Sequence, residues 1–168
     1  PSLPAGVEAD LLRGMYLLRP AGGGAAAVRL LGSGAILREV LKAADLLAAE
    51  HGIAAEVYSV TSFSELARDA REQQRLDRQE PLAAPRASQV SRLLAGDAPV
   101  VAATDYVRTW PQLIAEYVDA RYVTLGTDGF GRSDTRQQLR AYFEVDASHI
   151  VQAALAACRR QARTETAA

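Results

Sequence analysis

The chain has 168 residues, 49% of them hydrophobic and 23% charged, with a formal net charge of −1. That length supports one domain with a sizeable core, and the composition is that of a globular protein. A near-neutral balance excludes a global field that would recruit nucleic acid or an anionic membrane, and no apolar run approaches the roughly 20 residues needed to span a bilayer.

Residues 1–12 form a lead-in containing Pro1 and Pro4, with a short helical turn expected over Ala9 to Leu12. A short strand follows over Gly14 to Arg19, ended by Pro20 and the flexible run Gly22-Gly23-Gly24. The second strand covers Ala26 to Leu31, and Gly32-Ser33-Gly34 then opens a long helix. In that helix Ile36, Leu37, Val40, Leu41, Ala44, Leu47 and Ala48 recur at three- and four-residue spacing, which marks one apolar face. Gly52 lies just beyond its last turn, where a left-handed cap is favoured.

Ala55 to Val60 is the third strand, and Thr61 or Ser62 can cap the helix that begins near Phe63. The charge- and glutamine-rich stretch from Arg68 to Glu80 reads as a solvated helical face. Pro81 and Pro85 interrupt the chain before a short helix over Ala87 to Ala95, which stops at Gly96-Asp97. A strand over Pro99 to Ala103 leads through Thr104-Asp105 into a helix expected over Tyr106 to Tyr117, early enough to tolerate Pro111. The same reading places Tyr106 and Trp110 at i and i+4 on that helix, able to pack side by side.

The last strand, Tyr122 to Leu125, runs into a turn with glycine at 126, 129 and 131. A helix to Phe143 follows, with Ser133 or Asp134 as its expected cap, and a final helix spans Ala147 to Arg163. Strands alternating with helices define an α/β protein with a mainly parallel sheet and helices on both faces. Within the glycine turn, Asp128, Arg132 and Asp134 can form a local charge network, or serve as plain turn and cap residues. Phe130 needs a surface to cover it: the chain's own core, another domain or a partner subunit. We therefore take Asp128, Phe130, Arg132, Ser133 and Asp134 as loop and interface candidates.

The other chemically capable residues have modest readings. Gly32-Ser33-Gly34 could hold a phosphate at a helix start, but the dinucleotide fingerprint fails at Leu37, and a plain turn is preferred. His51 sits at a helix end, where it can cap, and His149 has no cysteine or histidine at metal-binding spacing. Cys158 is the only cysteine, so no intrachain disulfide can form. It reads as a packed thiol in a protein of the reducing cytoplasm, and the N-terminus lacks a signal-peptide pattern. Lys42 is the only lysine, and abundant arginine with no asparagine suggests a GC-rich genome more than a phosphate-binding surface.

Five ordered blocks carry a family resemblance: LLGSGAILREV (Leu30 to Val40), VYSVTSFSELARD (Val57 to Asp69), Pro85-Arg86, ATDYV (Ala103 to Val107) and LGTDGFGRSDTRQQLRAYFEVDASHIV (Leu125 to Val151). Together they resemble the C-terminal domain of the transketolase superfamily of thiamine diphosphate enzymes. Within it, the likeness is to the homodimeric, bacterial type of pyruvate dehydrogenase.

That resemblance implies a three-layer α/β/α fold with a five-stranded mixed sheet, mostly parallel, holding one antiparallel strand. The short first strand, reaching the second across the glycine hinge, is the candidate for that exception. It further implies a single domain over 1–168 cut from a longer cytoplasmic bacterial enzyme, with 1–13 a lead-in from the preceding domain. The intact enzyme would decarboxylate pyruvate on thiamine diphosphate with magnesium and reductively acetylate a lipoyl group on a dihydrolipoyl acyltransferase component. The fragment itself is expected to be inactive, with no catalytic, cofactor-binding or metal residues. The family's diphosphate motif resembles GDG followed by asparagines; Gly126-Thr-Asp-Gly129 is not that motif, and no asparagine exists to complete it. The implied partners are the preceding domains, a second subunit and the acyltransferase component. The alternatives are a regulatory module holding a small effector at the strand ends, or the C-terminal domain of a transketolase or another 2-oxoacid dehydrogenase.

Overall fold

The computed structural model describes residues 2–22 and 24–166, with side chains described through residue 161. Pro1 of the expected lead-in and Gly23 of the expected hinge lie outside the described residues. The elements in chain order are α1 (Glu8–Leu12), β1 (Met15–Arg19), β2 (Val28–Ser33), a 3-10 turn (Gly34–Ile36), α2 (Leu37–His51), β3 (Ala55–Val60), α3 (Phe63–Gln79) and α4 (Gln89–Leu93). They continue with β4 (Val100–Ala103), α5 (Thr109–Gln112), a second 3-10 turn (Ala115–Tyr117), β5 (Tyr122–Leu125), α6 (Arg136–Tyr142) and α7 (Ala147–Thr166).

The strands form one five-stranded sheet in the order β1-β3-β2-β4-β5. Four run parallel and β1 runs antiparallel, as the resemblance implies. Its neighbour, however, is β3 and not β2: Met15 lies opposite Val60, and Tyr16 opposite Ser59. β2 therefore lies beyond β3, at the centre of the sheet, and forms no hairpin with β1.

The central strands β2, β3 and β4 are buried on both faces, which explains their near-continuous apolar runs. Successive side chains alternate between two cores. Val28, Leu30, Val57 and Val101 pack with α2 and α7 on one face. Leu31, Tyr58, Val60, Val100 and Ala102 pack with Phe63, Leu66, Ala67 and Ala70 of α3 and with Val90 of α4 on the other. Each fully buried leucine or valine contributes roughly 1.5–3 kcal/mol relative to exposure.

In α2 the expected apolar face forms around Ile36, Val40, Ala44 and Leu47, with Ala43 buried in place of Ala48, which is exposed. Gly52 closes the helix in the left-handed conformation. Ser62 caps α3, its side chain accepting from the Glu65 amide. The outer face of α3 carries Glu65–Arg68 and Glu72–Arg75 pairs, as a solvated surface should.

The expected helix over Tyr106 to Tyr117 is broken. Only Thr109–Gln112 is helical, followed by the 3-10 turn Ala115–Tyr117. Ahead of Thr109 the backbone is engaged by the loop after β5: the Thr127 amide donates to the Tyr106 carbonyl at 2.9 Å, and the Arg108 amide to Asp128 Oδ1 at 2.8 Å. Tyr106 and Trp110 consequently do not share a helix, and both are exposed.

Candidate functional site

Two loops leave the carboxyl ends of the neighbouring strands β4 and β5 and are laced together from their first residues. A Cβ at Gly126 would lie 2.7 Å from the Tyr106 carbonyl oxygen and 2.8 Å from the Arg108 amide nitrogen. Only glycine permits that approach. It allows Thr127 Oγ1 to donate to the Asp105 carbonyl at 2.8 Å. Asp128 then accepts from both the Arg108 amide and its guanidinium. Those bonds, the backbone one foremost, hold the Asp128 carboxyl below its usual range.

Beyond Asp128 the backbone turns at Gly129, with φ of +92°, and presents Phe130 almost wholly to solvent, at 96% exposure. Arg132 lies over the Tyr142 ring, 4.2 Å from its centroid, and Tyr142 meets Phe143 edge-on with centroids 5.0 Å apart. Asp134 Oδ1 accepts from the Thr135 amide at 2.6 Å. The charge network expected among Asp128, Arg132 and Asp134 does not form, because each finds a partner outside the trio. The helix cap is also displaced. Thr135, not Ser133 or Asp134, accepts from the Gln138 amide, so α6 begins at Arg136.

A third loop joins this cluster. After β2, Gly34 takes a left-handed φ of +59°. A Cβ there would collide with the Asp105 carboxylate. Asp105 Oδ2 accepts from the Ala35 amide at 3.0 Å, tying the turn after β2 to the turn after β4. The connection leaving β2 runs to β3 on one side, whereas β4 lies on the other side of β2. This is the point in an open α/β sheet where loops diverge and leave a crevice. A cleft of about 600 Å³ lies there, lined by these loops and by α6.

Beneath α6 lies a charged node with no sequence signal. Glu39 of α2 is only 6% exposed. Its carboxylate accepts from Arg140 Nη1 at 2.9 Å, Lys42 Nζ at 3.0 Å and the Ala147 amide at 3.3 Å. It thereby ties α2, α6 and the start of α7 together.

The remaining candidates sit apart. His51 ends α2 in an exposed position. His149 Nδ1 lies 2.7 Å from Asp146 Oδ1, at the start of α7. Among the described residues no group of three or more His, Cys, Asp or Glu could hold a metal ion. The Cys158 thiol donates weakly to the Ala27 carbonyl at 3.6 Å, and burial pushes its pKa up. No helix is long and apolar enough to cross a membrane among the described residues.

A mixed sheet of this order, with one antiparallel edge and laced loops at the carboxyl ends, defines a transketolase-type C-terminal domain. The family model for the transketolase-like TK C-terminal domain matches residues 14–146, and the chain belongs to that family. Among its relatives, the Pyruvate dehydrogenase E1 component of Escherichia coli strain K12 is 48% identical over 156 residues, 92% of this chain. The protein of the same name from Cupriavidus necator is 48% identical over 160 residues, 94% of the chain. The chain spans 18% of the length of each of these relatives.

Solved transketolases share the fold. That of Leishmania mexicana superposes with a TM-score of 0.63 at 19% identity, covering 93% of this chain and 20% of its own. That of Campylobacter jejuni gives 0.60 at 22% identity, covering 92% and 20%.

Proposed function

We propose that this chain is the C-terminal domain of a thiamine diphosphate-dependent pyruvate dehydrogenase E1 component, and that its own task is assembly. The observation that carries the reading is the 48% identity to the Escherichia coli E1 component, extending over 92% of the chain. Solved transketolases support the fold alone, which leaves the pyruvate dehydrogenase reading ahead of the transketolase one. In the parent enzyme thiamine diphosphate with magnesium would supply the decarboxylation chemistry.

The residues present do not fit that cofactor. The only aspartate in a GDG-like setting, Asp128, is already held by Arg108, and the chain contains no asparagine. The cofactor and the catalytic groups therefore belong to other parts of the parent enzyme, and the acetyl transfer to a lipoyl partner with them. We assign this chain as one domain over 1–168 in a cytoplasmic bacterial enzyme, with residues 1–13 leading in from the preceding domain.

What the chain offers instead is a fixed protrusion. The loop is anchored on one side by Asp128–Arg108 and on the other by Arg132 on Tyr142. Between these anchors stands Phe130, 96% exposed. An exposed aromatic on a loop held at both ends suits a contact with the middle domain or the second subunit, because burying the ring gains apolar area while the anchored loop ends have less freedom to lose on docking. Asp128, Arg132, Ser133 and Asp134 would hold or border that contact.

The test is Phe130→Ala in the full-length enzyme, followed by analytical ultracentrifugation and activity. The expected result is weaker dimerisation or domain docking, with activity falling as a consequence. The melting temperature of the 168-residue chain should barely change. Unchanged assembly and activity in the full-length variant would refute the interface role. Stoichiometric binding of thiamine diphosphate and magnesium by the 168-residue chain, measured by calorimetry, would refute the assignment of the cofactor to the rest of the enzyme.

A further inference from the structure

The cleft at the divergence of β2 and β4 has a composition that assembly alone does not require. Three arginines reach it at four-residue spacing: Arg132, Arg136 and Arg140. Arg140 is neutralised by the buried Glu39. Arg132 lies over the Tyr142 ring and has no hydrogen bond or ion pair among the described residues. Arg136 has no hydrogen bond or ion pair among the described residues. Two guanidinium groups thus border a concave site with their donors unused.

The carboxylates of the lining are in a different state. Asp105 accepts from the Ala35 amide and Asp134 from the Thr135 amide, so both already serve their loops. Between the charged groups lies an apolar floor that includes Ile36, Leu139 and Phe143. The volume of about 600 Å³ lies within the roughly 300–1,000 Å³ typical of small-molecule sites.

We propose that this cleft binds a small phosphate monoester whose organic part is apolar. Arg132 and Arg136 take the phosphate, since guanidinium groups match its oxygens in geometry as well as charge. Ile36, Leu139 and Phe143 take the organic body. Asp105 and Asp134 disfavour a ligand with an anionic group at each end, so a dicarboxylate is rejected. The site shares Arg132 and Asp134 with the loop that carries Phe130 but does not use the Phe130 ring, and the proposal stands or falls separately from the parent enzyme's activity.

The experiment is calorimetric titration of the 168-residue chain at low salt with phenyl phosphate, inorganic phosphate, benzyl alcohol and glutarate. Phenyl phosphate should bind with one-to-one stoichiometry, and the other three at least about tenfold more weakly. Arg136→Gln removes no hydrogen bond or ion pair among the described residues and is expected to leave the fold intact. It should weaken phenyl phosphate roughly tenfold or more, the loss expected for one charge-assisted bond, and lower the salt sensitivity. Arg132→Gln should act in the same direction.

Four results would overturn the proposal. The first is no saturable binding of phenyl phosphate. The second is binding unaffected by Arg132→Gln/Arg136→Gln. The third is equal affinity for inorganic phosphate, which would remove the role of the apolar floor. Binding by the chain that disappears in the full-length enzyme would also overturn it, by showing that the cleft is covered by another domain.

Discussion

Glu39→Ala tests whether the buried node under α6 holds the molecule together. The substitution removes an acceptor that serves Arg140, Lys42 and the Ala147 amide at once. Deleting one partner of a buried ion pair costs about 3–5 kcal/mol, because the other charge is left without compensation. Here the Arg140 side chain keeps 19% exposure and Lys42 keeps 64%, so water recovers part of the loss. The lost bond to the α7 amide adds a smaller penalty, about 0.5–1.5 kcal/mol. We expect about 2–4 kcal/mol in total, or a melting temperature lower by about 4–16 °C for a domain of this size.

Urea denaturation followed by circular dichroism measures it, with the m-value unchanged if only stability moves. Lys42→Ala is the control, and should cost under about 0.5 kcal/mol because that pair is largely solvated. Arg140→Ala and the double variant close a thermodynamic cycle. The double variant should be more stable than the sum of the single losses predicts, by about 1–3 kcal/mol. A loss below 1 kcal/mol for Glu39→Ala, or simple additivity in the cycle, would show that the node carries no cooperative load.

Further predictions concern the loops and the thiol. Gly34→Ala, forced into a left-handed φ and against Asp105, should destabilise by about 1–3 kcal/mol; Gly131→Ala, with open space around it, should be near neutral in the same urea melt. The Asp128 carboxyl should titrate by NMR with a midpoint below the ordinary 3.8, and Arg108→Ala should return it towards that value. Because the folded pKa is the lower one, this contribution to stability is complete above about pH 4 and is lost as pH falls through the depressed value. Added salt should shrink it, since the pair is largely exposed. Cys158, with its pKa raised by burial, should be alkylated at pH 8 more slowly in the folded chain than in urea; equal rates would show an open thiol.

What the sequence revealed and what it concealed divide along one physical line. Each of the five strands lies within an apolar run bounded by glycine, proline or a polar cap, and a local window finds it. Ala55–Val60 and Tyr122–Leu125 match residue for residue. The glycine hinge suggests β2 as the neighbour of β1, whereas the pairing with β3 depends on residues some forty positions later. The helix at 106–117 failed for a related reason. Its residues have adequate local propensity, but Arg108 and Tyr106 are claimed by Asp128 and Thr127 across the loop interface. At the candidate site, the tight turn is legible from its glycines, whereas the sequence leaves open whether the core or another surface covers Phe130. The Glu39–Arg140 bond is not legible, since a buried glutamate amid an apolar helical face leaves no pattern, and its partner is on α6.

The sheet order also determines how the chain assembles as it leaves the ribosome. β2, the central strand, receives β3 on one side once α2 has crossed over, but its other side stays open until β4 has been made. No tight hairpin can fill the gap, because β4 is the only strand that pairs with that side. During the synthesis of the 43 residues from Thr61 to Ala103, Leu30 and Leu31 would therefore belong to an unpaired apolar edge, a ready template for another chain. At ordinary translation rates that window lasts roughly 2–9 s. The hazard in this fold is thus one of timing, and it ends when Val100 to Ala103 dock beside β2.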